Sequence, residues 1–162
     1  MATPTTMGKE HIASAKSTNL PISTKHSIEL SHYLRYTQTS FAKRFLEEVL
    51  EMKQAVPFTR FNRDMGHKPG MAAGRFPLKA AGQFLRLIKA VESNAQQRGL
   101  DTANLKITKI LANRAAEPFT GGRLRRSTKR THLEIEVQEK AKKKTDKKEP
   151  KKESKKAKEE KK

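Results

Sequence analysis

Apolar positions recur at helical spacing in three blocks of the chain. In the first, Ile28, Leu30, Tyr33 and Leu34 predict a helix from Ser27, interrupted at Thr37-Gln38-Thr39-Ser40, where Thr39 or Ser40 is a suitable N-cap for the next helix. The second block, Phe41, Ala42, Phe45, Leu46, Val49 and Leu50, forms an i, i+3, i+4 stripe that Pro57 must end, with Glu47, Glu48 and Lys53 on other faces. Phe41 and Phe45 share that stripe, so both are expected in the core. The third is the longest: Ala81, Phe84, Leu85, Ile88, Val91 and Ala95 make one face between Pro77, placed as an N1 proline, and Gly99, placed as a C′ glycine with Leu100 to cover it. A helix of about 22 residues spans roughly 33 Å. Gly82 inside it costs about 1 kcal/mol relative to Ala, which points to close helix packing there.

After Asp101 the period changes to two. Leu105, Ile107 and Lys109 alternate with Lys106, Thr108 and Ile110, and Leu133, Ile135 and Val137 alternate with Glu134, Glu136 and Gln138, so two strands are expected. Asn19 to Thr24 offers a short extended segment whose Pro21 confines it to a sheet edge or strand start. Residues 1–18, rich in Ser, Thr and Ala, read as an irregular arm. The expected fold is therefore α+β: a small single domain over 19–139 with three helices on a short antiparallel sheet.

Two stretches fall outside these periods. Residues 57–76 carry Pro57, Gly66, Pro69, Gly70 and Gly74, with Arg60, Arg63, Lys68 and Arg75 set among Phe58, Phe61 and Phe76, and read as a basic loop. Loops of about 20 residues inside compact domains are uncommon unless functional or disordered. Aromatic rings interleaved with Arg suit RNA, since rings and guanidinium planes stack on unpaired bases while the charges meet phosphates; alternatively Phe58 and Phe61 pin the loop to the core. Residues 113–130 hold Arg114, Arg123, Arg125, Arg126, Lys129 and Arg130 against the single acid Glu117. This segment reads as an extended β-hairpin with its turn at 117–122, too poor in apolar residues to fold onto the body. Legs of about eight residues would project roughly 25 Å. Such a ribbon is marginal alone in water and requires a partner.

Charge identifies the partner. Across 162 residues, 36 Lys and Arg face 17 Asp and Glu, a formal +19 that solubility does not require and that predicts a polyanion. The 34% apolar content is low, so part of the chain is expected to gain order from what it binds. Residues 139–162 contribute 13 Lys against 6 acids with no apolar side chain larger than Ala. This disordered, low-complexity tail, assigned to 140–162, cannot bury anything, and its removal leaves a strongly basic body.

The absence of cysteine excludes disulfide frameworks, iron–sulfur clusters and thiolate zinc sites and suits a reducing compartment. No apolar run is long enough for a membrane span and no secretory signal is expected. His11, His26, His32, His67 and His132 lack the i, i+4 pairing of a helical zinc site, and no Gly-rich phosphate loop or catalytic constellation occurs, so neither enzyme activity, nor a metal, nor a cofactor is expected.

Several words of the sequence, in order, resemble one family: the universal large-subunit ribosomal protein numbered twenty-two in bacteria and seventeen in the older eukaryotic series. The most specific is Glu92-Ser93-Asn94-Ala95 followed by Gly99-Leu100-Asp101. Supporting words are Val56-Pro57-Phe58-Thr59-Arg60-Phe61-Asn62, Gly74-Arg75-Phe76-Pro77 with Phe84-Leu85, Asn113-Arg114-Ala115, and His132-Leu133-Glu134-Ile135. The pattern looks like that of a eukaryotic-type member. Phe76 stands where the family usually carries Trp, Ala116 and Glu117 displace the proline after Asn-Arg-Ala, and loop and hairpin each look about five residues short.

The resemblance implies a structural constituent of the large ribosomal subunit, a monomer within it, seated on ribosomal RNA beside neighbouring ribosomal proteins. It also implies a hairpin in the wall of the polypeptide exit tunnel, against the nascent polypeptide. Its ribosome is cytoplasmic and assembled in the nucleolus if the source is eukaryotic. The RNA-binding residues expected are Lys25, His26, Arg35, Arg60, Arg63, Lys68, Arg75, Lys79, Arg114, Arg123, Arg125, Arg126, Lys129 and Arg130. The expected tunnel-facing tip is Glu117, Pro118, Phe119, Thr120, Gly121 and Gly122. The competing reading is a free nucleolar or chromatin-associated RNA- or DNA-binding protein acting through its Lys tail.

Overall fold

In the computed structural model, which describes residues 11–119, 121–123 and 126–139, the main sheet is antiparallel with strand order β1-β6-β5. Its strands are β1 (Ile12–Leu20), β5 (Leu105–Arg114) and β6 (Thr131–Glu139). Helices α1 (Thr24–Leu34) and α3 (Leu78–Gln97) pack on it, and α2 (Thr39–Leu50) packs on α3. Between them Leu30, Leu34, Phe45, Leu46, Phe84, Ile88 and Val91 meet Leu105, Ile107, Ile110, Leu133, Ile135 and Val137, all buried. This is the α+β domain the periodicity predicts. No helix among the described residues is long and apolar enough to cross a membrane. The Lys-rich 140–162 tail lies outside the described residues.

Strand β6 follows the alternation closely. Leu133, Ile135 and Val137 point inward, while Glu134 and Glu136 on the other face both ion-pair with Lys109, at 3.2 and 2.7 Å. These carboxylates raise the Lys109 pKa, with Glu136 the larger contributor. Strand β5 breaks its own period. Ile107 pairs with Val137 and Lys109 with Glu136, so Thr108 is an extra residue in a bulge. The bulge turns Lys109 out to the carboxylates and brings Ile110 onto the core face, which the simple alternation had assigned to Lys109.

The irregular arm is corrected: residues 12–18 belong to β1, paired with β6 from Ile12↔Gln138 onward. Its inward positions are small (Ala13 buried, Ala15 half-buried) because α3 crosses them closely, so apolar bulk gave no signal. The Asn94 amide donates to the Ser14 carbonyl at 2.9 Å, and Arg98 donates to that of Ile12. On the same helix the Glu92 carboxylate accepts from Lys43 of α2 at 3.0 Å. The word Glu92-Ser93-Asn94-Ala95 is thus the fastening of α3 to α2 and β1.

Four helix boundaries shift. Helix α1 starts at Thr24, three residues early, because its first turn is polar. Gln38 caps α2 without a side-chain bond, and α2 ends at Leu50 well before Pro57, with Met52 in the left-handed region. Pro77 is the N-cap of α3 rather than its first residue. At the other end Gly99 has φ +74°, its N–H donates to the Gln96 carbonyl, and that of Leu100 donates to Ala95, the Schellman pattern expected. Phe41 is not core: it is 37% exposed and stacks on Phe45 with Arg44 over its ring. Nothing lies within 4 Å of a Cβ placed on Gly82, so the close packing expected there is absent.

The basic loop 57–76 is also corrected. It contains most of a second antiparallel sheet of order β2-β4-β3, from β2 (Val56–Pro57), β3 (His67–Lys68) and β4 (Met71–Arg75), with Gly70 supplying a positive φ of 73° at the turn. A Cβ on Gly74 would lie 2.8 Å from the Met71 sulfur and 3.1 Å from Lys68 Cγ, so glycine there lets both side chains cross the strand.

The 113–130 hairpin is regular only at its base. The ladder ends at Arg114↔Thr131; beyond it Ala115 donates its N–H to the Arg130 carbonyl and Thr128 to that of Pro118. Phe119 pairs with Ser127, so the chain reverses between them, later than the expected 117–122 turn. Its root does fold onto the body, since Arg114, Glu117 and Lys129 share a groove with Lys25, Ile28 and Phe61.

Candidate nucleic-acid interface

Glu29 is the single acid between residues 11 and 46, and α1 carries it inward to 2% exposure. Its carboxylate accepts the N–H groups of Thr59 (3.1 Å), Arg60 (2.9 Å) and Phe61 (2.8 Å), and the Thr59 hydroxyl at 3.3 Å. Burial pushes its pKa up, but the donors, Phe61 foremost, outweigh burial and hold it below the ordinary carboxylate value. An ionised side chain in the core thus satisfies three consecutive backbone donors of a segment that β2 alone could not order.

With that backbone fixed, Arg60 and Phe61 face a cleft of about 510 Å³. Its walls come from four places in the chain: Ser23, Lys25 and His26 at the start of α1; Phe58, Arg60, Phe61, Arg63 and Met65; Arg75 of β4; and Lys129 before β6. Among the described residues, no acidic side chain lines it. Phe58 is buried and meets the His26 ring edge-on, with centroids 5.5 Å apart. Phe61 is half-buried, with Lys25 Nζ 5.7 Å and Arg60 Cζ 5.4 Å from its centroid. The two phenylalanines therefore divide the alternatives: Phe58 is the pin, and Phe61 keeps ring surface at the cleft. Burial first, and then the nearby charges of Arg75 and Lys129 in this recess, lower the His26 pKa. Such a recess is arranged to take an anion.

Of the residues expected to bind RNA, Lys25, His26, Arg60, Arg63, Arg75 and Lys129 converge here, although they span more than a hundred positions. Arg35 lines the adjoining groove with Arg60, His32 and the edge of β5. Arg114 is next door, ion-paired to Glu117 at 2.9 Å. The remainder lie elsewhere. Lys68 sits over the Phe76 ring at 5.6 Å, and Lys79 is exposed in the first turn of α3. Arg123 and Arg126 are exposed near the tip, and Arg125 lies outside the described residues. Arg130 is half-buried, donates to the Asn19 carbonyl at 3.4 Å, and keeps its Nε buried without a hydrogen-bond partner.

Within the expected tip, Phe119 is 77% exposed and Gly121 and Gly122 are exposed, while Thr120 lies outside the described residues. Glu117 and Pro118 belong to the outgoing leg, where the Pro118 carbonyl accepts from the Thr128 hydroxyl at 3.1 Å. Ser23, Met65 and Glu29 escaped the sequence reading. Only Glu29 left a signal, as a solitary acid in a basic, apolar stretch.

Comparison with known proteins points the same way. A family model described as ribosomal protein L22p/L17e matches residues 15–140. The large ribosomal subunit protein uL22 of Methanoculleus marisnigri is 42% identical over 145 residues, covering 84% of this chain and 95% of that protein. That of Nanoarchaeum equitans is 41% identical over 141 residues, with 80% of each chain covered. The Cenarchaeum symbiosum protein of the same name is 39% identical over 126 residues, covering 73% and 83%.

Proposed function

The chain belongs to the ribosomal protein L22p/L17e family, and on that premise we propose how it serves the large ribosomal subunit. It is a structural constituent of that subunit, located on the ribosome, and not an enzyme. It binds and stabilises large-subunit RNA as a monomer, with ribosomal proteins as neighbours. The observation that carries the RNA contact is the convergence of Lys25, Arg60, Arg63, Arg75 and Lys129 on one cleft that no acid among the described residues lines. Bringing five cations together without counter-charge disfavours the free protein, and phosphates offset this.

The hairpin beyond Arg114 is the element offered to the exit tunnel. Its ladder stops at Thr131 while Phe119, Gly121, Gly122 and Arg123 remain exposed at its end, as suits a ribbon that rests on RNA and faces the nascent polypeptide. The relatives named above are archaeal, which supports a place on the ribosome and adds nothing for a cytoplasmic or nucleolar stage of its own.

Sedimentation of lysate at moderate salt tests the reading: the chain is expected to travel with large subunits, and recovery only in the free fraction refutes it. A free chromatin-type binder would instead lose most of its affinity with residues 139–162. Under the ribosomal reading that deletion leaves incorporation intact.

A further inference from the structure

Resting on the ribosomal reading, we propose that the cleft between α1, residues 58–65, β4 and Lys129 is a subsite for one unpaired nucleotide of single-stranded RNA. Its phosphate lies among His26, Arg75 and Lys129, and its base against Phe61 and Arg60. The recess, at about 510 Å³, falls in the range of about 300–1,000 Å³ typical of sites that enclose a small ligand. A duplex backbone presents phosphates on a convex ridge and keeps its bases stacked inside, so it can meet the rim but not the rings. An unpaired nucleotide can meet both.

The two halves of the cleft differ in chemistry. On one side the His26 ring stands edge-on to buried Phe58, with the charges of Arg75 and Lys129 acting on it. On the other, Phe61 carries Arg60 and Lys25 over its ring, a platform of the kind on which bases stack whatever their identity. The cleft cations take no part in the ion pairs found elsewhere on the described surface, such as Lys43–Glu92, Lys109 with Glu134 and Glu136, and Arg114–Glu117. Glu29 holds the 59–61 backbone before RNA arrives, which lowers the ordering cost of binding.

A phosphate beside His26 opposes the repulsion it feels from Arg75 and Lys129. Among the described residues, the charged groups that line the cleft with it are all basic: Lys25 on α1, Arg60 and Arg63 on the 58–65 segment, Arg75 on β4 and Lys129 before β6. Binding is therefore coupled to proton uptake by His26 and tightens as the pH falls.

The test uses the full chain, an oligouridylate of about six nucleotides, and an RNA duplex of about one turn, read by NMR of the ring protons of His26 and Phe61. The oligouridylate is expected to shift both rings and raise the pH at which His26 titrates, and the duplex to leave them in place. Phe61→Ala should weaken the oligouridylate about tenfold with duplex affinity unchanged. If that variant is unfolded, Arg75→Gln with Lys129→Gln should give the same loss. Equal ring shifts with duplex, or none with oligouridylate, overturn the subsite. If the rings stay unmoved while the chain still sediments with large subunits, the subsite falls and the ribosomal reading stands. If the rings shift but the chain stays out of subunits, the ribosomal reading falls and the cleft remains a single-strand site.

Discussion

Replacing Glu29 by Gln tests whether one buried carboxylate orders the segment that lines the cleft. Glu29 Oε1 accepts from Arg60 and Phe61, and Oε2 from the Thr59 N–H and hydroxyl. Glutamine keeps one acceptor oxygen and turns an NH₂ group toward the other donors, so two of the bonds are lost and the charge goes with them. Bonds to a charged group are worth about 1.5–3 kcal/mol each, an upper bound of about 3–6 kcal/mol. Thr59 and Arg60 are exposed, so their freed donors can turn to water, and the expected loss is about 2–3 kcal/mol. For a domain of this size that lowers Tm by about 10 °C at neutral pH.

The pH dependence has a definite sign. The pKa of Glu29 lies below its ordinary 4.5 in the folded chain, so its contribution is complete above that value and disappears as the pH falls through the folded one. Thermal melts followed by circular dichroism at neutral pH and at about pH 3 should therefore show a wild-type advantage that shrinks with acid. Equal melting temperatures at neutral pH, or a gap that persists unchanged in acid, would refute the assignment.

Gly82→Ala should raise stability by about 0.5–1 kcal/mol in denaturant melts, because the added methyl meets nothing within 4 Å. Gly99→Ala should cost about 1–2 kcal/mol at φ +74°, with the midpoint shifted and the slope unchanged. Asn94→Ala removes the amide bond to the Ser14 carbonyl; hydrogen exchange should accelerate in β1 while the β5–β6 ladder keeps its protection. Combined Arg60→Gln and Arg75→Gln should flatten the log–log salt dependence of RNA affinity by about two units, read by titration at several salt concentrations.

What the sequence disclosed divides along physical lines. Helix α3 was legible because its stripe, its proline and its glycine all agree, and β6 because its apolar and acidic residues alternate without fault. Strand β1 was hidden by Ala13 and Ala15, chosen for the close approach of α3 rather than for bulk. The bulge at Thr108 concealed the phase of β5, since one extra residue exchanges the faces. The second sheet was hidden because strands of two to five residues carry no period, and the 59–61 backbone between β2 and β3 is held by a carboxylate some thirty residues away.

The site followed the same division. Its residue types and their aromatic neighbours were visible in 57–76. The meeting of Lys25 and His26 with Arg75 and Lys129 was not, because it follows only from the packing of α1 between the two sheets. Lys68 and Lys79 carry the same charge yet lie away from the cleft, which residue type alone cannot distinguish.

Cross-link mapping of the chain on salt-washed large subunits tests the central claim most directly. The account predicts cross-links to large-subunit RNA from both the 58–75 segment and the 113–130 hairpin, with Phe61 and Lys129 reaching the same RNA strand. Cross-links confined to residues 140–162, or none from the cleft in chains that sediment with the subunit, would contradict it.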